Sequence, residues 1–151
     1  MPHLVILYTP NLDRETDMTR LCRTLADTML AARDEQGKAV FPTGGTRVLA
    51  YPAAHYALAD GGSAGRAAGT HTGAASGDPG DYAFIYLNLR MGRGRSAATH
   101  QQVGDALFAA AKEHFAQIFG QRHIGITLQI DEGPEVFDGK HSNLHPLFNK
   151  A

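Results

Sequence analysis

The residue with the most distinctive chemistry is Pro2, which directly follows Met1. Bacterial processing usually removes the initiator Met when the second residue is small, and that leaves proline as the amino terminus. A terminal proline is a secondary amine whose ring fixes the direction of its lone pair. Burial and nearby cations both disfavour a protonated amine, so a buried terminal Pro2 would act as a base near neutral pH. The alternative is that Pro2 is only a small residue suited to the second position.

Arginines that adjoin glycines form a second chemical feature. Gly92-Arg93-Gly94-Arg95-Ser96 precedes a predicted helix, and Arg47 follows two glycines at the start of a predicted strand. A helix amino terminus offers free N–H groups, and the Arg95 guanidinium can bind a carboxylate through two parallel hydrogen bonds. The pattern is suited to an anion site at Arg95, with Arg93 as its assistant or substitute. A solvated basic turn fits the same pattern equally well, and Arg47 alone is more typical of a solvated strand start.

The first half of the chain predicts a β-α-β unit. An apolar run over 3–8 predicts a strand over about 3–9 that is covered on both faces. Asn11 or Asp13 is placed to cap the next helix, whose apolar residues recur at three- and four-residue steps until Gly37 stops it. A second strand is predicted over 47–58, and Pro52 within it indicates a bulge or an edge position.

The second half repeats this pattern after an insertion. Residues 61–80 are rich in Gly, Ala and Ser and predict a flexible excursion. Beyond them we expect a strand over 82–89, a helix capped by Ser96 and ended by Gly120, and an alternating strand over 124–130. The chain 1–151 is thus predicted to be one α+β domain, in which two β-α-β units form a four-stranded mixed sheet with both helices on one face.

One face of this predicted sheet has no helix to cover it. We expect that face to be built from Leu4, Ile6 and parts of the strand over 82–89. An apolar surface of that size is unstable in water, so it needs a partner. Association of identical chains is the simplest way to cover it.

Composition and charge exclude several classes of protein. Lys and Arg number 14 against 15 Asp and Glu, so no overall basic field indicates a nucleic-acid partner. The amino terminus lacks the charged flank and long apolar stretch of a signal peptide or membrane span, which predicts a cytoplasmic protein with no membrane partner. With 43% hydrophobic residues, the 151-residue chain can bury a core of its own.

No metal site or reactive cysteine is predicted. Cys22, the single cysteine, lies on the apolar stripe of the first predicted helix, which favours a packed thiol over a nucleophile. The eight histidines show no zinc-ligand spacing. His141 and His145 are four residues apart, but Pro146 does not favour a helix there.

Taken together, the chain resembles the tautomerase superfamily, and within it the 5-carboxymethyl-2-hydroxymuconate Δ-isomerase family. The resemblance covers nearly the whole chain outside 61–80. It rests on the Pro2-His3 pair and on these segments in order: Phe41-Pro42-x-x-Gly45-x-Arg47, Ala59-Asp60-Gly61, Asp81-Tyr82-Ala83-Phe84, Gly94-Arg95-Ser96, Gln101-Gln102, His114-Phe115 and Asn143-Leu144-His145-x-Leu147-Phe148.

The resemblance implies a homotrimeric isomerase of aromatic catabolism that needs no cofactor. Pro2, exposed by removal of Met1, would be the general base and then the general acid. Arg47 and Arg95, with Arg93 as a possible assistant, would bind the carboxylates of a small di- or tricarboxylate substrate. The implied reaction moves a proton from a dienol hydroxyl, as in 5-carboxymethyl-2-hydroxymuconate, to a carbon three bonds away, giving the conjugated keto acid. The insertion over 61–80 departs from the family pattern and would alter which acid fits.

Two other functions fit the same residues. One keeps Pro2 and changes the acid, as in a phenylpyruvate-type tautomerase or a hydratase-like relative. The other is a trimeric ferredoxin-like binding module without catalysis. Retention of Met1 would favour the binding module, because an acylated Pro2 has no basic amine.

Overall fold

The protein follows the predicted doubled β-α-β order in a computed structural model that describes residues 2–68 and 81–148. Its strands are β1 (His3–Tyr8), β2 (Arg47–Pro52), β3 (Ala83–Met91) and β4 (Ile124–Glu132). Its helices are α1 (Met18–Ala31), α2 (Ser63–Ala68), α3 (Ala97–His114) and α4 (Ala116–Phe119). Within these described ranges, no helix has the length and apolar character to cross a bilayer.

The four strands form one mixed sheet in the order β2-β1-β3-β4. β1 runs parallel to β2 and antiparallel to β3, while β3 and β4 are parallel. α1 packs on β2, α3 packs on β4, and the two helices contact each other. The α+β class, the strand arrangement and the helical layer are therefore as the sequence predicts. Pro52 ends an edge strand, which confirms the edge position.

The core lies between the sheet and the two long helices, and it corrects the prediction for the uncovered face. Leu4 and Ile6 are fully buried beneath the helices, with 0% of their surface exposed. The alternate residues Val5 and Leu7 point to the open face, where Leu7 is 46% exposed. In β3 the buried positions are likewise Ala83, Ile85, Leu87, Leu89 and Met91. Because every residue over 4–7 is apolar, the pattern lacked the alternation that distinguishes the two faces.

The bounds of α1 differ from the prediction at both ends. Its cap is Asp17, whose side chain accepts a hydrogen bond from the Arg20 N–H at 3.0 Å. Neither Asn11 nor Asp13 has that role. The helix ends at Ala31, six residues before Gly37, because the Asp34 carboxylate accepts the N–H groups of Gln36 and Lys38, both at 2.9 Å, and closes a turn.

Three other segments depart from the predicted bounds. β2 ends at Pro52, so the predicted strand over 53–58 does not form. The helix after Ser96 is interrupted at Phe115 and continues as α4 up to Gly120. α2 (Ser63–Ala68) is a helix within the insertion predicted to be flexible, and the rest of that insertion, 69–80, lies outside the described residues. The Asp60 carboxylate stabilises the start of α2 by accepting the Gly62 and Ala64 N–H groups, both at 3.0 Å.

Candidate active site

Pro2 lies directly before β1 and is buried. The next residue, His3, is aligned with Arg47 on the β2 side and with Arg90 on the β3 side. Pro2 therefore lies at the end of the central strand β1 where β2 begins and β3 ends. Because β1 is paired along both sides, the sheet fixes the direction in which the chain leaves Pro2.

Arg47 opens β2 and is half-buried. Residues aligned across neighbouring strands share a face of the sheet, so the Arg47 and His3 side chains both lie on the open face. The Arg47 Nη1 group donates a hydrogen bond to the Gly45 carbonyl at 3.1 Å, which ties the guanidinium to the turn before β2. Burial of the imidazole, together with the positive charge of Arg47, lowers the pKa of His3. His3 is consequently neutral at pH 7.

Arg95 lies in the turn between β3 and α3 and is half-buried. Its Nη1 donates to the Gly92 carbonyl at 3.0 Å, and its Nη2 donates to the Val40 carbonyl at 2.7 Å. The guanidinium carbon also lies 5.8 Å from the centre of the Phe41 ring. A guanidinium has five N–H donors, so these two hydrogen bonds orient the group and leave other N–H donors for a ligand. Arg93, two residues earlier, is exposed.

The amino terminus of α3 is occupied by polar groups of the chain itself. Ser96 caps it, as predicted, by accepting the Thr99 N–H at 3.1 Å. The Glu35 carboxylate, from the loop after α1, accepts hydrogen bonds from the Ser96 hydroxyl and from the Thr99 hydroxyl. The Ser96 hydrogen bond is the main reason that the pKa of Glu35 is lowered. The Arg95 guanidinium is therefore better placed than the helix N–H groups to bind an anion here.

Sequence reasoning missed Arg90, the eighth residue of β3. It lies on the open face beside His3, and its Nε is 3.9 Å from the Glu135 Oε1 atom. With Arg47 it gives the open face two cations flanking one imidazole. The alternation of β3 was the available signal, because Leu87 and Leu89 face the core and so place Arg90 on the opposite side.

Within 2–68 and 81–148, Cys22 and the histidines form no metal cluster. Cys22 packs against the core, as predicted, and burial raises the pKa of its thiol. Among the residues that the structure describes, no three His, Cys, Asp or Glu side chains come close enough together to hold a metal ion.

The sheet order and the two packed β-α-β units place the chain in the class of tautomerase-like folds. A family model described as 5-carboxymethyl-2-hydroxymuconate isomerase matches residues 2–148, so the chain belongs to that family. The family predicted from sequence is thereby confirmed.

Individual relatives agree with this assignment. The 5-carboxymethyl-2-hydroxymuconate Delta-isomerase of Escherichia coli is 28% identical over 148 residues, which are 98% of this chain and 99% of the relative. A crystal structure of a 5-carboxymethyl-2-hydroxymuconate delta-isomerase is 58% identical with a TM-score of 0.90, covering 100% of this chain and 95% of that one. A 5-carboxymethyl-2-hydroxymuconate isomerase from Deinococcus radiodurans R1 is 34% identical with a TM-score of 0.77, covering 99% and 95%. These matches support an isomerase with a tautomerase-like fold.

Proposed function

We propose that the protein converts an unsaturated 2-hydroxy (dienol) carboxylic acid, such as 5-carboxymethyl-2-hydroxymuconate, into its conjugated keto form without a cofactor. The match of the isomerase family over residues 2–148 is the observation that carries this proposal. The position of Pro2 supports it, because Pro2 is buried directly before His3, and His3 is aligned with half-buried Arg47.

In this proposal, the Pro2 amine acts first as general base and then as general acid. Removal of Met1 is required, since a peptide bond at Pro2 would leave no basic nitrogen. The amine takes the proton of the enol hydroxyl, and electrons shift along the diene. The resulting ammonium then gives its proton to the diene carbon three bonds from the hydroxyl-bearing carbon. This step restores the amine and yields the conjugated ketone. The net reaction neither consumes nor releases any other group.

Arg47 and Arg95 bind the carboxylates of the substrate in this mechanism, with Arg93 in a lesser role. Arg95 suits such a task because two carbonyls and the Phe41 ring already hold its guanidinium in place. Arg47 also acts on the base. Its charge opposes protonation of a neighbouring group, as it does at His3, and so favours the free amine of Pro2.

We also propose that the working form is a homotrimer. The open face carries apolar side chains, with Leu7 46%, Leu49 42% and Tyr51 50% exposed. Threefold closure would bury this face in all three copies and would bring further groups to Pro2. Light scattering on the purified protein tests this proposal, and a folded monomer at micromolar concentration would contradict it.

Pro2→Ala is the direct test of the mechanism. The variant should keep the fold and lose most isomerase activity, because a primary amine rotates freely and differs in basicity. Intact-mass analysis must first show that Met1 is absent from both proteins. Turnover is then followed by the absorbance change between dienol and conjugated ketone. A processed Pro2→Ala protein with the wild-type rate would rule out Pro2 as the base.

The choice of acids separates this function from its alternatives. Turnover of phenylenolpyruvate in preference to dienol dicarboxylates would indicate a phenylpyruvate-type tautomerase. Protein that quantitatively retains Met1 and turns over no enol acid would indicate a binding module.

A further inference from the structure

We propose that Arg90 binds a third carboxylate of the substrate, and that Glu135 pairs with its guanidinium until the substrate arrives. This inference rests on the proposed function. It extends that function by assigning a residue that distinguishes tricarboxylate from dicarboxylate acids.

The sheet places Arg90 within reach of the same ligand as Arg47. Both are aligned with His3, one on each side of β1. Neighbouring strands are about 4.8 Å apart, so the Cα atoms of Arg47 and Arg90 are separated by about 10 Å. Two long side chains on the same face can converge over His3 from that distance. The charge of Arg90 is the smallest of the causes that lower the pKa of His3, of which burial is the largest and Arg47 the second, and its presence agrees with this convergence.

Glu135 is suited to be an exchangeable partner. The Arg90 Nε and Glu135 Oε1 atoms are 3.9 Å apart, and the two side chains are 54% and 39% exposed. Such exposed and loosely paired charges contribute little stability. Asp131 is aligned with Arg90 on β4, but its carboxylate accepts a hydrogen bond from the Asn88 side chain at 2.8 Å. Glu135 is therefore the carboxylate that a ligand would have to displace.

The backbone at Gly133 brings the Glu135 carboxylate close to Arg90. The residue is buried, and its N–H donates to the Met91 carbonyl at 3.0 Å, which anchors the segment after β4 to the end of β3. A Cβ atom at position 133 would collide with Glu135 Oε1 and would lie 2.8 Å from the Arg90 Nε. The absence of a side chain at Gly133 thus lets Glu135 and Arg90 approach each other.

The consequence for selectivity follows from charge. A third carboxylate that binds Arg90 replaces the contact with Glu135, whereas an acid with two carboxylates leaves that contact intact. 5-Carboxymethyl-2-hydroxymuconate has three carboxylates. 2-Hydroxymuconate lacks the carboxymethyl arm and has two, so the pair forms a matched comparison.

The experiment measures KM and kcat for both acids in four proteins: wild type, Arg90→Gln, Glu135→Gln and the double variant. Arg90→Gln should raise KM for the tricarboxylate about tenfold and leave KM for the dicarboxylate within a factor of about two. Glu135→Gln should lower KM for the tricarboxylate about threefold, and this gain should vanish in the double variant. Arg14→Gln is the matched control, since Arg14 is an exposed arginine beyond the opposite end of β1 and should change neither KM.

Equal effects of Arg90→Gln on both acids would overturn the inference, as would a Glu135→Gln variant with unchanged or higher KM. Calorimetric binding of benzene-1,3,5-tricarboxylate and benzene-1,3-dicarboxylate separates this failure from that of the proposed function. If no dienol acid is turned over but Arg90 is still needed for preferential binding of the tricarboxylate, the proposed reaction is wrong and the assignment of Arg90 stands. If neither turnover nor binding depends on Arg90, the assignment of Arg90 to the third carboxylate is wrong.

Discussion

Replacing Arg122 should destabilise the protein more than any surface change, because this side chain is completely buried and paired with two carboxylates. Its side chain is 0% exposed, against 7% for Glu15 and 21% for Asp81. The Arg122 Nη1 group donates to Glu15, while Nη2 lies 2.9 Å from the Asp81 Oδ1 atom and donates to the Asp81 carbonyl at 3.1 Å. The Asn11 amide completes the cluster by donating to the Asp81 Oδ2 atom at 2.9 Å.

The expected magnitude follows from what Arg122→Met leaves behind. Removing the cation strands the nearly buried Glu15 carboxylate and takes from Asp81 its ion pair with the guanidinium. Removing one member of a buried ion pair costs about 3–5 kcal/mol. The free energy of unfolding falls by about 2 kcal/mol per molar urea, so a loss of about 4 kcal/mol lowers the urea concentration at the unfolding midpoint by about 2 M. The free energy of unfolding is measured by urea titration at pH 7 and at one fixed protein concentration.

A triple variant provides the control for this reasoning. Combining Arg122→Met with Glu15→Gln and Asp81→Asn neutralises the stranded carboxylates and should restore more than half of the lost stability. Under conditions where Arg122→Met is folded, its kcat/KM should equal that of wild type, because the cluster lies at the opposite end of β1 from Pro2. A loss below about 1 kcal/mol, or no recovery in the triple variant, would refute the assigned energetics.

Two further predictions concern binding and pH. Arg47→Ala and Arg95→Ala should each weaken binding of dicarboxylate inhibitors by about 1.5–3 kcal/mol, with a smaller loss for Arg93→Ala; calorimetry should show no such loss for uncharged ligands. His114 donates or accepts a 2.7 Å hydrogen bond with the Thr16 hydroxyl, and burial, with the charge of Arg20, lowers its pKa below 6.5. As the pH falls below about 6.5, His114 takes up a proton in the unfolded chain before it does so in the folded protein. The free energy of unfolding should therefore decrease as the pH is lowered below about 6.5. His114→Gln should remove this part of the pH dependence in urea titrations at pH 7, 6 and 5, and identical slopes for the two proteins would contradict the assignment.

Local signals in the sequence determined the order of elements and the family. The three- and four-residue spacing of apolar residues identified both long helices, and Ser96 marked the start of α3 because its hydroxyl can satisfy a helix N–H. The short motifs spread from Pro2-His3 to Asn143-Leu144-His145 indicated the family, which the match over residues 2–148 confirms. These features depend on residues close in the chain, and a linear pattern records them.

Only the tertiary structure decided which groups meet across the chain. Residues 4–7 of β1 are all apolar and offered no alternation, so packing alone placed Leu4 and Ile6 in the core and Leu7 on the open face. The pairing of Arg122 with Glu15 joins residues 107 positions apart, and the contact of Glu35 with Ser96 joins residues 61 positions apart. Such contacts arise when the two β-α-β units pack together, and neither partner carries a local signal for the other. The same holds for Arg47, His3 and Arg90, which the sheet aligns next to Pro2. Their alignment depends on the register between strands, and that register is set by the burial of one whole face of the sheet.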